Sequence, residues 1–253
     1  MKSFLFDKLF QDTKPAEKNY FRFINLKINI MKVRGLQFYL LIMVLFNSIQ
    51  LTAREIHVSK KGSDSNDGSS STPLKTISAA AGIAFPGDTI TVHEGTYREW
   101  INPLRGGESD SKRIVYRAAP GEKAEIKGSE VITGWKKEKE GVWKVIIPDA
   151  FFGNYNPYQD SVYGDWFNRQ GRVHHTGEVF LNGKSLFEKE TLDKVMNPVA
   201  NTNIADSTGS IYTWYCENNN NNTIIWANFH NFNPNKELVE ISTRRTVFYP
   251  DKP

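Results

Sequence analysis

Three changes in the pattern of apolar and polar positions divide the chain, and the first marks a leader. Met31-Lys-Val-Arg34 is basic, Leu36 to Phe46 is apolar except for Gln37, and Asn47 to Ala53 is more polar and ends on a small residue. That order of basic, apolar and polar regions is the pattern of a secretory signal peptide. The apolar run falls short of the roughly 20 residues that a membrane-spanning helix needs. The pattern predicts a secreted or periplasmic protein, with translation starting at Met31 and residues 1–53 serving as N-terminal extension and signal peptide.

The second region, 54–128, reads as short strands separated by Gly and Pro turns. Arg54 to Val58 alternates apolar and polar residues, and Lys60 to Thr72 is rich in Gly, Ser, Asn and Asp. Asp64, Asn66 and Asp67 before Gly68 miss the spacing of a calcium loop, so no metal is predicted there. Leu74, Ile77, Ala81 and Ala84 have helical spacing, with Thr72 as N-cap and Pro86-Gly87 as stop. Strands follow over Asp88–Tyr97, Ile114–Ala118 and Ala124–Lys127. Short strands behind one amphipathic helix suit the start of a stacked β-coil with a helical cap. Only one or two such coils are legible before the pattern changes.

The third region, 129–246, has longer alternating strands in hairpins. Val131–Trp135 is predicted to pair with Val142–Ile147, and Glu178–Leu181 with Lys184–Phe187 across Asn182-Gly183, a strong two-residue turn signal. Ile211–Cys216 and Thr223–Asn228 flank an asparagine run, and Glu237–Ser242 adds a further strand. This is the pattern of a β-sandwich, with Trp135, Trp143, Trp214 and Trp226 expected in its core. Asp149 to Thr176 lacks periodicity and carries Phe151, Phe152, Tyr155, Tyr158, Tyr163, Trp166 and Phe167. A loop of that length in a compact domain usually carries function. Aromatic rings on it suit stacking on sugar rings, with Asn154, Asn156, Asp160 and Asp165 as hydrogen-bonding partners for hydroxyls.

Composition removes several alternatives. The formal charge of +4 belongs to the leader: eight of the 32 basic and three of the 28 acidic residues precede residue 54, leaving 24 against 25. Without a basic face, nucleic acid is not a predicted partner. Cys216 is the lone cysteine, which excludes an internal disulfide framework and multi-cysteine metal sites, and its thiol is expected in the core. His174-His175 has no evident third ligand, and adjacent strand residues point to opposite faces. Neither metal nor cofactor is predicted.

The strings GDTITVHEGTYREW (87–100), AAPGEKAEIKGSEVITGW (118–135), FFGNYNPYQDSVYGDW (151–166) and RRTVFYP (244–250) resemble the β-xylosidases of glycoside hydrolase family 120. The resemblance runs from about Glu55 to Pro250. It implies an all-β fold: a right-handed parallel β-helix with a short N-terminal capping helix, interrupted by an immunoglobulin-like sandwich. It divides the mature chain into cap and first coils (54–128), inserted sandwich (129–246) and a return to the β-helix (247–253). It also implies a retaining mechanism, whose Asp nucleophile and Glu acid/base stand about 5 Å apart. In the family both residues lie on coils after the sandwich, so the catalytic pair is expected beyond Pro253. The substrate-binding residue implied here is Trp166, extended to its neighbours Asp165 and Tyr163.

Other carboxylates placed to be considered for the chemistry are Glu94, Glu99, Asp160 and Asp165. The expected partner is a xylo-oligosaccharide or related polysaccharide, and an open β-helix end favours self-association into a homo-oligomer. Two further readings share these observations: a non-catalytic carbohydrate-binding module, and a polysaccharide lyase-like β-helix protein, which calls for clustered calcium-binding Asp residues and an Arg base.

Overall fold

The structure is a computed structural model and describes residues 53–250. The leader and the start at Met31 lie outside the described residues. Among those described, no helix is long and apolar enough to cross a membrane.

Alternation over 54–128 produces strands that stack in parallel. Strands β1 (Glu55–Val58), β2 (Thr89–Val92) and β4 (Val115–Ala118) form one parallel sheet. Strands β3 (Gly95–Arg98) and β5 (Ala124–Lys127) form a second. The register aligns Ile56 with Ile90 and Tyr116, and Val58 with Val92 and Ala118. Like side chains therefore superpose in successive rungs of a β-solenoid, and Ile56, Val58, Ile90, Val92, Tyr97 and Ile101 are its buried interior. The stack holds one rung more than the sequence pattern shows, because Glu55–Val58 pairs directly with Thr89–Val92 across an interval without a visible repeat.

Helix α1 (Ile77–Ile83) closes the stack with Ile77, Ala80 and Ala81 buried. It begins later than predicted. The Leu74 amide donates to His57 O and its carbonyl accepts from Ser59 N, so this residue is committed to the edge of the solenoid. Thr76 is the N-cap, its hydroxyl accepting from Ala79 N, and Glu99 accepts from the free amides of Ile77 and Ser78.

The insertion follows from one long-range pairing. Ile101 comes directly after β3 and bridges in parallel to Phe248, with Ile101 N donating to Val247 O and Tyr249 N to Ile101 O. Phe248 thus occupies, after β5, the place that Ile101 occupies after β3. Everything between Lys127 and Val247 is extruded from a single turn of the solenoid.

The extruded segment is a two-sheet sandwich. One sheet has the order β10 (Lys184–Ser185), β9 (Val179–Leu181), β14 (Val239–Ser242), β6 (Ser129–Val131). The other has the order β11 (Phe187–Glu188), β12 (Thr213–Asn219), β13 (Asn222–Asn228), β8 (Val142–Pro148), β7 (Lys136–Lys137). Trp135, Trp214, Ile225, Phe229, Val239 and Ile241 are among the buried residues between them. Trp143 is partly buried against this core, and Trp226 is buried beside helix α2 (Leu192–Met196).

Two hairpins differ from expectation. Strand β8 pairs with β13 and β7, while Ser129–Val131 pairs with β14 in the facing sheet. Asn182 (φ 51°) and Gly183 (φ 80°) do turn β9 into β10, but the strand then crosses over, and Phe187–Glu188 pairs in parallel with β12. The asparagine run makes a tighter turn than its length suggests: Asn220 and Asn221 alone carry positive φ, and the ladder reaches Asn219–Asn222.

Candidate functional site

The loop following β8 is folded rather than loose. It opens with a 3-10 turn over Asp149–Phe152, and Phe152 and Tyr158 are buried against each other. The Tyr158 hydroxyl donates to Glu178 O at 2.7 Å and its carbonyl accepts from Asn218 Nδ2 at 2.7 Å. Asn156, expected to meet sugar hydroxyls, instead donates to Thr223 Oγ1 at 2.8 Å and to Asp149 Oδ1 at 3.2 Å. Tyr155 bonds Thr176 and lies beneath the Arg245 guanidinium. Three of the loop's seven aromatic residues, Phe152, Tyr155 and Tyr158, thus hold the loop to the sandwich.

Further along, the loop projects. An antiparallel bridge between Ser161 and His175, with Val162 N donating to His174 O at 2.8 Å, pinches the base of a finger spanning 162–174. Tyr163 is 71% exposed and Trp166 77% exposed. A Cβ on Gly164 would stand 2.7 Å from Trp166 Nε1, so only glycine lets the indole fold over that backbone. The indole then meets Phe167 edge-on at 5.6 Å, and Phe167 meets His174 at 5.1 Å. Exposed Asp165 lies between these rings in sequence. The structure therefore brings Tyr163, Asp165 and Trp166 together at one tip, a convex platform backed by a row of rings.

Beneath the finger, at the edge of the five-stranded sheet, is a cleft of about 360 Å³. His175 Nδ1 lies 2.6 Å from Glu188 Oε1, and His174 Nδ1 lies 4.0 Å from Glu188 Oε2. The neighbouring histidines, predicted to diverge, converge on one carboxylate because the bridge at 175 bends the chain there. Cys216 Sγ is 3.7 and 3.9 Å from the two ring nitrogens of His175. Cysteine, histidine and glutamate in contact suggest a nucleophile, but the geometry is wrong for one. Near-equal distances to both nitrogens put the sulfur in line with neither lone pair. Burial, reinforced by Glu188 and Glu217, pushes the thiol up to about 12, so the thiolate is absent at neutral pH. Iodoacetamide at pH 7.5 is expected to leave Cys216 unmodified in the native protein and to alkylate it after urea unfolding, read by intact mass. Rapid native alkylation would show an activated thiol.

The other candidate carboxylates have structural partners. Glu99 caps α1, and Asp160 accepts from Thr176 and stands 3.9 Å from Arg245. Glu94, on an exposed turn, donates its amide to Glu122. Asp64 and Asp67 accept hydrogen bonds from Lys75, Thr76, Ser69 and Thr72. Among the described residues no group of three or more His, Cys, Asp or Glu is placed to hold a metal ion. One contact went unread in the sequence: His57 and His93 stack at 5.3 Å on neighbouring rungs, with His93 bonded to Glu122. The signal for it is the coil repeat, too faint in the sequence to align the two histidines.

Residues 132–241 match the glycoside hydrolase 120 insertion domain, the segment extruded from the solenoid. Residues 60–102 match DUF1565, a protein family of unknown function. The solved structure "The complex structure of XylC with xylose" is 42% identical, with a TM-score of 0.75, covering 78% of this chain and 33% of that one. The protein YwoF of Bacillus subtilis (strain 168), described as uncharacterized, is 36% identical over 76 residues, 30% of this chain and 16% of the relative. The chain thus spans about a third of XylC and a smaller part of YwoF. The family 120 insertion domain carries the whole finger and the cleft beneath it.

Proposed function

We propose that the chain is the N-terminal part of an exported glycoside hydrolase of the β-xylosidase type, and that its inserted sandwich presents Tyr163, Asp165 and Trp166 to a xylo-oligosaccharide. The observation that carries this reading is the exposed indole of Trp166, braced by Phe167 and held over Gly164 on a pinched finger. Large aromatic side chains are rarely left so exposed without a contact to make, and an indole face matches the apolar face of a pyranose. The 42% identity to a protein whose structure was solved in complex with xylose supports the sugar class. In this reading the catalytic Asp and Glu belong to coils that follow the sandwich, as the family resemblance implies.

Trp166→Ala is expected to weaken xylo-oligosaccharide binding by about 1–3 kcal/mol, the loss typical of an aromatic hot spot. Its melting temperature should stay near wild type, because the ring is exposed. Calorimetry showing equal affinity for wild type and variant would remove the finger from the site. The binding-module reading uses the same platform without hydrolysis, and release of xylose from xylobiose by the protein in its native context separates the two. Export is tested by N-terminal sequencing of the protein recovered outside the cytoplasm. A start near residue 54 is expected, and a chain retaining Asp12 would refute both the leader and the start at Met31.

A further inference from the structure

We propose that the cleft beneath the finger binds the carboxylate of a sugar acid, so that the site reads an acidic substituent on the saccharide held at the tip. The inference rests on the carbohydrate reading above and names a ligand class for the same region.

The charges in the cleft are unevenly paired. Glu188 is occupied by His175 at 2.6 Å. Glu190 is occupied by Lys194, one helical turn along. Arg172 donates only to the Glu188 carbonyl at 3.3 Å and stays 4.0 Å from its carboxylate. The Lys189 ammonium has no hydrogen bond or ion pair within 4 Å among the described residues, although its own amide is anchored to Trp214 O at 2.8 Å and the residue lines the cleft. Burial, followed by the nearby Arg172 and Lys194 cations, lowers the Lys189 pKa despite the opposing pull of Glu190. A half-buried cation in that position gains most from an anion that enters the cleft. Glu217, whose charge also reaches Cys216, is bonded by the Tyr215 hydroxyl and is not among the residues that line the cleft.

The cleft's size and walls argue for a sugar-borne carboxylate rather than a small free ion. A volume of about 360 Å³ fits a monosaccharide-sized group. Tyr215, stacked at 6.1 Å on Trp226, supplies a ring wall. Arg172 lies on the finger that carries Trp166 and His175 at its base, and the rings of Trp166, Phe167 and His174 form a row of contacts along it, with His174 Nδ1 4.0 Å from Glu188 of the cleft.

The test is calorimetric titration of the full chain with glucuronosyl-xylose, xylobiose and inorganic phosphate. A charge-assisted contact predicts about tenfold or more tighter binding of the acidic disaccharide than of xylobiose. Lys189→Met should abolish that preference while leaving xylobiose affinity unchanged, and Lys189→Arg should restore it. Equal affinity of the wild type for the two disaccharides overturns the acidic assignment and leaves the carbohydrate reading intact, whereas binding of neither disaccharide overturns the carbohydrate reading itself. Phosphate binding as tightly as the acidic sugar overturns the sugar part of the assignment. A preference that persists in Lys189→Met overturns the role of the cleft.

Discussion

Glu240→Ala is expected to destabilise the folded chain by about 3 kcal/mol, measured by urea denaturation at pH 7. Glu240 is 2% exposed on β14, where three groups converge on its carboxylate. Arg98 approaches to 2.6 Å, Lys127 to 3.1 Å and Ser129 to 3.0 Å. Arg98 and Lys127 come from β3 and β5 of the solenoid, so this carboxylate joins the inserted sandwich to the rungs that bracket it. Removing it strands two cations in a part-buried place, which costs more than the pair itself contributes. Their side chains keep 19% and 29% exposure, so partial rehydration puts the loss at the lower end of the 3–5 kcal/mol typical of broken buried pairs.

The pH dependence of that difference has a definite sign. Burial alone would raise the Glu240 carboxyl, but the hydrogen bonds from Arg98, Lys127 and Ser129 outweigh it and hold the group below the ordinary carboxylate range. A depressed folded value means that the stabilisation is present above the unfolded pKa and lost as pH falls through the folded one. The gap between wild type and Glu240→Ala should therefore be full at pH 7 and narrow below about pH 4. A gap that stays constant down to pH 3 would show that the carboxylate acts by packing rather than by charge.

Trp214→Ala is expected to cost about 3–5 kcal/mol, the range for emptying a large aromatic site in a core. Trp214 on β12 is 1% exposed and meets Tyr158 edge-on at 5.5 Å. Tyr158 anchors the root of the finger, so the cavity would open directly under the candidate site. Trp214→Phe should cost much less. It keeps an aromatic ring in the slot and removes an indole N–H that has no hydrogen-bond partner, a group whose burial is itself unfavourable. Thermal melts of the two variants check the ranking, and a phenylalanine variant as unstable as the alanine one would contradict it.

How much was legible divides by the range of the interaction. The Asn182-Gly183 turn, the strand at β13 and the stop at Pro86-Gly87 are written in neighbouring residues, and the structure places them as read. The start of α1 was misread because Leu74 has helical spacing but its backbone bonds Ser59 and His57. The pairing of Val131–Trp135 with Val142–Ile147 failed for a related reason. Alternation marks a strand and its buried face but not which of two facing sheets takes it, and the partner of Ser129 is Ser242. At the candidate site, Tyr163, Asp165 and Trp166 were legible as a cluster because they are contiguous. Arg172, Glu188 and Lys189 were not, since only the crossover to β11 and the bridge at His175 bring them together.

The sequence by itself determined the all-β class, the leader-like N-terminus, the family resemblance and the aromatic loop, because each rests on local periodicity, turn chemistry or contiguous residues. Tertiary structure alone decided that Phe248 stacks on Ile101, which makes the sandwich an extrusion of one solenoid turn. It also decided that Phe152, Tyr155 and Tyr158 are structural and that a cleft holding Arg172, Lys189, Glu188 and Glu190 lies beneath the exposed rings. The physical reason is that hydrogen-bond pairing between distant strands, and the charge left over when nearby ions pair, depend on which segments meet in space.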